Sequence, residues 1–238
     1  WLSNAVMLDF GNSWRSFTGI SVSELLIQAT PATAILVTLA IVPLILGGFL
    51  AALGWLPRRL DPLWQGIGLI PAVILALAFA AWVQITYGSE AGEASVDGLR
   101  ILLGALVLAA ADGAFAGAVV GTRATFEEEV KQRYIQIAIL RGETVLNNAL
   151  PNVLPALVGQ FRGRMLHILS GAVVVEVVLG IPGLGDLLWS GTLDQDFAIV
   201  LAAAWGYSLL SSVFLLIQAT VEVGVAMHVR KFPRTALA

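Results

Sequence analysis

Long uncharged apolar stretches alternate with short charged ones along the chain. Residues 29–56 carry no charged side chain, and a hydrocarbon core takes roughly 20 helical residues to cross, so this stretch predicts a first membrane span. Further apolar stretches at 62–86, 98–121, 165–181 and 197–229 predict four more. Each is read as a helix, because an open strand leaves its backbone unpaired in lipid. The fourth is the shortest; it could begin near Leu157, with Arg162 and Arg164 reaching back to the interface. Ahead of span one, Ser21-Val22-Ser23-Glu24 has the form of a capping box. It predicts a short interfacial helix over 21–28 that turns into the membrane near Pro31. The chain thus reads as all-α: an external segment with an interfacial helix (1–28), then one polytopic bundle of about five spans (29–238).

Composition agrees. Of 238 residues, 58% are hydrophobic and 12% charged, and the mean hydropathy is +0.87, far from an ordinary soluble domain. The net charge of −3 and the lack of a basic face argue against nucleic acid as a partner. With no Cys and two His, thiolate and histidine metal sites are not expected. The chain begins at Trp1 without a signal-peptide pattern, and a processed chain or a fragment is expected. Of the 13 Lys and Arg, all but Arg15 and Arg100 fall after spans one, three and five. The positive-inside bias then puts 122–164 and the C-terminus in the cytoplasm. Residues 87–97 and 182–196 would lie outside; apart from Arg100, just beyond, that side carries acids. Trp55, Trp64, Trp82 and Trp189 are expected in an interfacial belt.

The segment 122–164 is too long for a simple connector. It opens on Glu127, Glu128, Glu129, Lys131 and Arg133, then runs apolar from Tyr134 to Leu140 before Arg141-Gly142. Gly142 can take a positive φ and end one short helix, so that a second, 143–150, leaves at an angle. Pro151 and Pro155 then punctuate the return to the membrane. Such an element suits a partner's groove or a headgroup surface.

Asp112, Glu176 and Glu222 lie within apolar stretches, where a central charge costs roughly 2.5–3.5 kcal/mol, so they should face protein or water. Asp112 could line a path or pair across the bundle, and Glu176 could accept hydrogen bonds near an interface or gate. Glu222 and His228 are read as interfacial, and His167 as a helix-end histidine. Ser170 or Ser190 with His167 would be the parts of an intramembrane protease, a reading that leaves 122–164 unexplained.

The motifs resemble a family. Tyr134 to Gly142 followed by Asn148 to Pro155 is similar to the cytoplasmic E-A-A-x-x-x-G loop of bacterial ABC-transporter permeases. Ser170-Gly-Ala-Val-Val-Val-Glu176 with Ile181-Pro-Gly-Leu-Gly185 resembles the corresponding stretch of the dipeptide/oligopeptide/nickel permeases, of type I. Asp9 to Ser13 and Thr30 to Thr33 resemble the approach to that family's second membrane helix, which implies that the first helix is absent here. Departures are clear: Glu-Ala-Ala falls on Gln136, Ile137 and Ala138, and the Gly-to-Pro spacing is shorter.

The resemblance implies a transport subunit, not an enzyme, in a bacterial inner membrane. It would form half of a translocation path with a second permease, more often a paralogue. Two cytoplasmic ATPases would bind the ATP and Mg, and an external solute-binding protein would deliver cargo. The chain has no G-x-x-x-x-G-K-[ST] loop of its own. Gln136, Ala138, Arg141, Gly142 and Glu143 would couple to the ATPase. Asp112, Glu176, Pro182, Gly183 and Gly185 would belong to the path or its gate. Cargo stays open among peptides, nickel chelates, opines and sugars, and a non-transporting scaffold subunit is the alternative.

Overall fold

The computed structural model describes residues 9–88 and 94–231. Helix α1, Val22–Ala52, is one 31-residue element with Pro31 and Pro43 inside it. The interfacial helix over 21–28 is therefore not separate, and a boundary at residue 28 falls mid-helix. Breaking the chain there would expose unpaired backbone at the lipid, whereas a proline removes a single amide. The capping box does not form either: Ser21 is the N-cap residue, but its hydroxyl makes no cap bond, and its carbonyl takes the Glu24 and Leu25 amides instead.

Span two is broken. Helices α2, Asp61–Gly68, and α3, Ala72–Tyr87, meet at 84°, because Pro71 disfavours a helical Ile70 and starts α3 afresh. Span three is kinked as well: α4, Ala94–Ala110, and α5, Ala114–Val130, are joined by a 3-10 turn in which Asp112 has φ 52° and Gly113 φ 73°. The two breaks nest together. The Asp112 amide donates to the Ile70 carbonyl at 3.3 Å, and a Cβ on Gly68 would lie 2.8 Å from Gly113 Cα, so only glycine lets these backbones touch.

The stretch 122–164 is almost wholly helical. Helix α5 continues to Val130, a short α6 covers Arg133–Leu140, and α7 runs unbroken through Val145–Leu179 with Pro151 and Pro155 inside. The prolines do not stop it, and span four begins far before residue 165. At its end Gly180 takes φ 63°, Ile181 donates back to the Glu176 carbonyl at 2.9 Å, and the chain re-enters as α8, Leu184–Leu193, bent 64° from α7. Helix α9, Phe197–Lys231, completes the described residues. Among the described residues, three helical stretches, the kinked one over Val96–Val130 included, are long and apolar enough to span, and the two bent pairs bring the number to as many as five.

Leu36, Val37, Ala40 and Leu44 of α1 pack with Val107, Leu108, Ala114, Ala118, Ile168, Ala172 and Val175 in the main core. The many alanines allow close helix approach without a hydrophobic drive between helices in lipid. Only 17% of the apolar part of helix α9 is buried. Arg123, read from the sequence as a loop charge, is buried. It pairs with Asp61 and donates to the Leu56 carbonyl at 2.9 Å, clamping the start of α2 onto α5. Arg123→Ala should cost about 3 kcal/mol, since it orphans a part-buried carboxylate. Arg58→Ala should cost under about 1 kcal/mol, because its pair with Glu127 is largely open to solvent. Thermal unfolding of the two variants in detergent checks the difference; equal midpoints would contradict it.

Candidate functional site

Glu176 is fully buried at the bend between α7 and α8. Its Oε2 accepts the Gly185 amide at 2.6 Å, while the Leu184 amide donates to Thr33 Oγ1 on α1 at 2.8 Å. The start of α8 is thus held by two amide bonds, one to a carboxylate favoured at a helix N-terminus. A Cβ on Gly185 would lie 2.7 Å from Val173 Cα, and one on Gly183 would run into the Glu176 carboxylate. Pro182 lies between Ile181 and Gly183 and starts this turn. Glu176 Oε1 finds no hydrogen-bond partner among the described residues. Geometrically this cluster is a lock on the re-entrant bend.

A second polar group lies at the span-three kink. Asp112 Oδ2 stands 3.6 Å from His167 Nε2, and their side chains are 36% and 47% exposed. His167 is well inside α7, not at a helix end. Arg164, one turn earlier, does not reach back to an interface: its Nη1 donates to the Ala114 carbonyl at 2.8 Å, and it lies over Gly117, where a Cβ would collide with it. Ser170 Oγ donates to the His167 carbonyl and Ser190 Oγ to that of Leu187, so neither hydroxyl is paired with the imidazole as a nucleophile would need.

Helix α6 is amphipathic. Ile135 and Ala138 are buried, whereas Ile137 and Ile139 are exposed and Leu140 is 87% exposed. It ends as the sequence predicts: Gly142 has φ 79°, its amide donates to Ile139 and that of Glu143 to Ala138, the pattern of a glycine C-cap. Of the expected coupling residues, Gln136, Arg141, Gly142 and Glu143 are exposed. Ala138 faces inward instead, because its small side chain sits on the side that packs toward α7. Gln136 Nε2 donates to the Val130 carbonyl, and Glu143 accepts from Asn148.

One further placement differs from expectation. Trp64 leaves the interfacial belt to pack edge-on against Phe115 at 5.1 Å, while Trp55, Trp82 and Trp189 are exposed. Glu222 takes a hydrogen bond from Gln218, which also donates to the Val158 carbonyl. The His228 side chain, Arg234, residues 1–8 and the acidic 89–93 lie outside the described residues.

Sequence reasoning missed Asp196. Fully buried, it caps α9 and gathers the N-terminal segment: Oδ2 accepts from Ser13 Oγ at 2.7 Å and from the Trp14, Arg15 and Ser16 amides, and Oδ1 from the Ile199 amide. Burial pushes its carboxyl up, but the Ser13 hydroxyl and the Arg15, Trp14 and Ile199 amides outweigh this and hold it below the ordinary carboxylate range. An Asp directly before an apolar stretch was the available signal. Among the described residues, no group of three or more His, Asp or Glu side chains converges to hold a metal.

Comparison with known proteins fits this architecture. Residues 43–226 match the family described as "Binding-protein-dependent transport system inner membrane component". The glutathione transport system permease protein GsiC of Shigella flexneri serotype 5b is 29% identical over 94% of this chain and 74% of its own length; that of Escherichia coli K12 has the same identity and coverage. The oligopeptide transport system permease protein OppB of E. coli K12 is 24% identical over 82% of this chain and 67% of its own. The chain therefore belongs to the inner-membrane components of binding-protein-dependent transport systems: it is an all-α, multi-pass permease subunit of an ATP-driven importer, not an enzyme.

Proposed function

We propose that the chain is one of two permease halves of a peptide-class importer, paired with a paralogous permease and coupled through α6 to one of two cytoplasmic ATPases. A solute-binding protein delivers cargo from the other side. The cargo class rests on the relatives, whose names specify glutathione and oligopeptides. The orientation, with α6 and the C-terminus in the cytoplasm, rests on the side that carries most of the Lys and Arg.

The observation that carries the coupling reading is the exposed apolar end of α6. Leu140 and Ile139 project from a helix whose other face is packed, and Gly142 ends that helix with open space around it. Such a knob suits a groove on a partner. ATPase closure would displace α6, and the packed α7 would carry the movement into the bundle. Gln136, Arg141 and Glu143 supply the polar rim. On the membrane side, Asp112 borders the path, while Glu176, Pro182, Gly183 and Gly185 form its gate-side turn.

The test is co-purification of the tagged chain from its native membrane. ATPase and second permease should be recovered with the native chain. Leu140→Asp, Gly142→Pro and Arg141→Glu should lower ATPase recovery, Leu140→Asp by about tenfold or more, while the second permease stays bound. Undiminished ATPase on all three variants would remove α6 from the coupling role.

A further inference from the structure

The seam between the span-three kink and α7 lies midway along an apolar span. The continuous span there runs Val96–Val130, and Asp112 and Gly113 lie at its centre. Non-helical backbone at that depth is tolerated only where it is buried in protein or lines water. Asp112 has φ 52°, and its carboxylate stays partly open, as does His167 opposite. Ser170, one turn along the same face of α7, is exposed. An acid, an imidazole and a hydroxyl along one open seam are a costly surface to offer to lipid, and they form a natural wall for a polar path.

The charges are ordered along that wall. At 3.6 Å, the Asp112 carboxylate and the His167 imidazole stand close without the geometry of a hydrogen bond. The carboxylate lone pairs remain open to a stronger donor. Arg164, one turn from His167, spends one amine on the Ala114 carbonyl and keeps other donors, since a guanidinium carries five. Acid and base thus stand along one seam, His167 beside Asp112 and Arg164 one turn from His167 on α7.

We infer that this seam reads the charged ends of a zwitterionic cargo in transit, with the cargo ammonium at Asp112 in place of His167 and its carboxylate toward Arg164. The inference rests on the peptide-importer reading above and adds to it a specificity-determining residue. Asp112 prefers cargo with a free amine over the same cargo with that amine acylated.

The complete importer, reconstituted in liposomes with its partner permease, ATPases and binding protein, is given dialanine and N-acetyldialanine. The native complex should take up dialanine in preference. Asp112→Asn should lower kcat/KM for dialanine by about tenfold or more and leave N-acetyldialanine unchanged, so that the preference collapses. Asp112→Gly, which keeps the positive-φ backbone without strain, should do the same and separates the carboxylate from the kink. Because the chain has no Cys, Ser170→Cys provides a single thiol in it, and a charged, membrane-impermeant methanethiosulfonate should modify it.

An unreactive Ser170→Cys would mean that lipid or a partner chain seals the seam, which overturns the inference. So would equal loss of both probes in the Asp112 variants, or dialanine uptake that they leave intact. If the native complex takes up neither probe, the peptide-class reading falls and this inference with it, while ATPase recovery on α6 still reports on coupling separately.

Discussion

Gly185→Ala should lower stability by about 3 kcal/mol and the thermal midpoint by roughly 5–10 °C, whereas Gly159→Ala should leave both unchanged or raise them slightly. The two glycines differ in what a methyl group would meet. At Gly185 it would lie 2.7 Å from Val173 Cα and 2.8 Å from Glu176 Oε2. The first is backbone of a helix packed into the core and cannot retreat, and the second is the acceptor of the Gly185 amide itself. At Gly159, also helical, nothing stands within 4 Å, so the methyl group only removes backbone freedom from the unfolded chain. Midpoints from size-exclusion profiles of heated, detergent-solubilised protein decide the matter. Equal midpoints would show that the bend between α7 and α8 is not set by this close approach.

Asp196→Ala should cost about 3 kcal/mol, since it strands a hydroxyl and several amides that together fold the N-terminal segment against the start of α9. A pH dependence goes with it. An unfolded Asp titrates near about 3.9, and Asp196 in the folded chain titrates lower. The folded state therefore holds fewer protons than the unfolded one in this range. The stability that the carboxylate contributes is fully present above the unfolded value and is lost as pH falls through the folded one. Asp196→Asn should be less stable at neutral pH, and its remaining stability should vary less with pH below about 4. Midpoints measured at about pH 3, 4 and 6 check this; parallel acid-side slopes for the two proteins would exclude Asp196 as the source.

Much of this fold is legible in the sequence, because the bilayer imposes one requirement that composition reveals. Five apolar stretches are visible without any contact being known, and Gly142 announces the end of α6 through its place after an apolar run. What the chain conceals is how its interruptions are used. Pro71 breaks a span, yet Pro31, Pro43, Pro151 and Pro155 do not. Residue type alone therefore does not tell which proline breaks a helix.

The surroundings of Arg164 and Trp64 are hidden for a related reason. Position along the chain does not give depth, and Gly117 and Phe115 decide what these two side chains meet. Glu176 and Gly185 stand close enough in sequence to be noticed together. Asp196 and Ser13 are 183 residues apart, and no local pattern joins them.

The nested breaks of spans two and three make these two spans one mechanical joint. Gly68 meets Gly113 with no side chain between them, and the Ile70 carbonyl holds the Asp112 amide. Sliding one span along the other would break that bond. Turning about the glycine contact leaves it intact. A rotation of α5 driven from its far end would therefore be transmitted as a tilt of α2 and α3, with the fulcrum at the glycine contact. Spin labels placed on either side of the joint would report opposite distance changes through a transport cycle, while the Gly68–Gly113 separation stays constant.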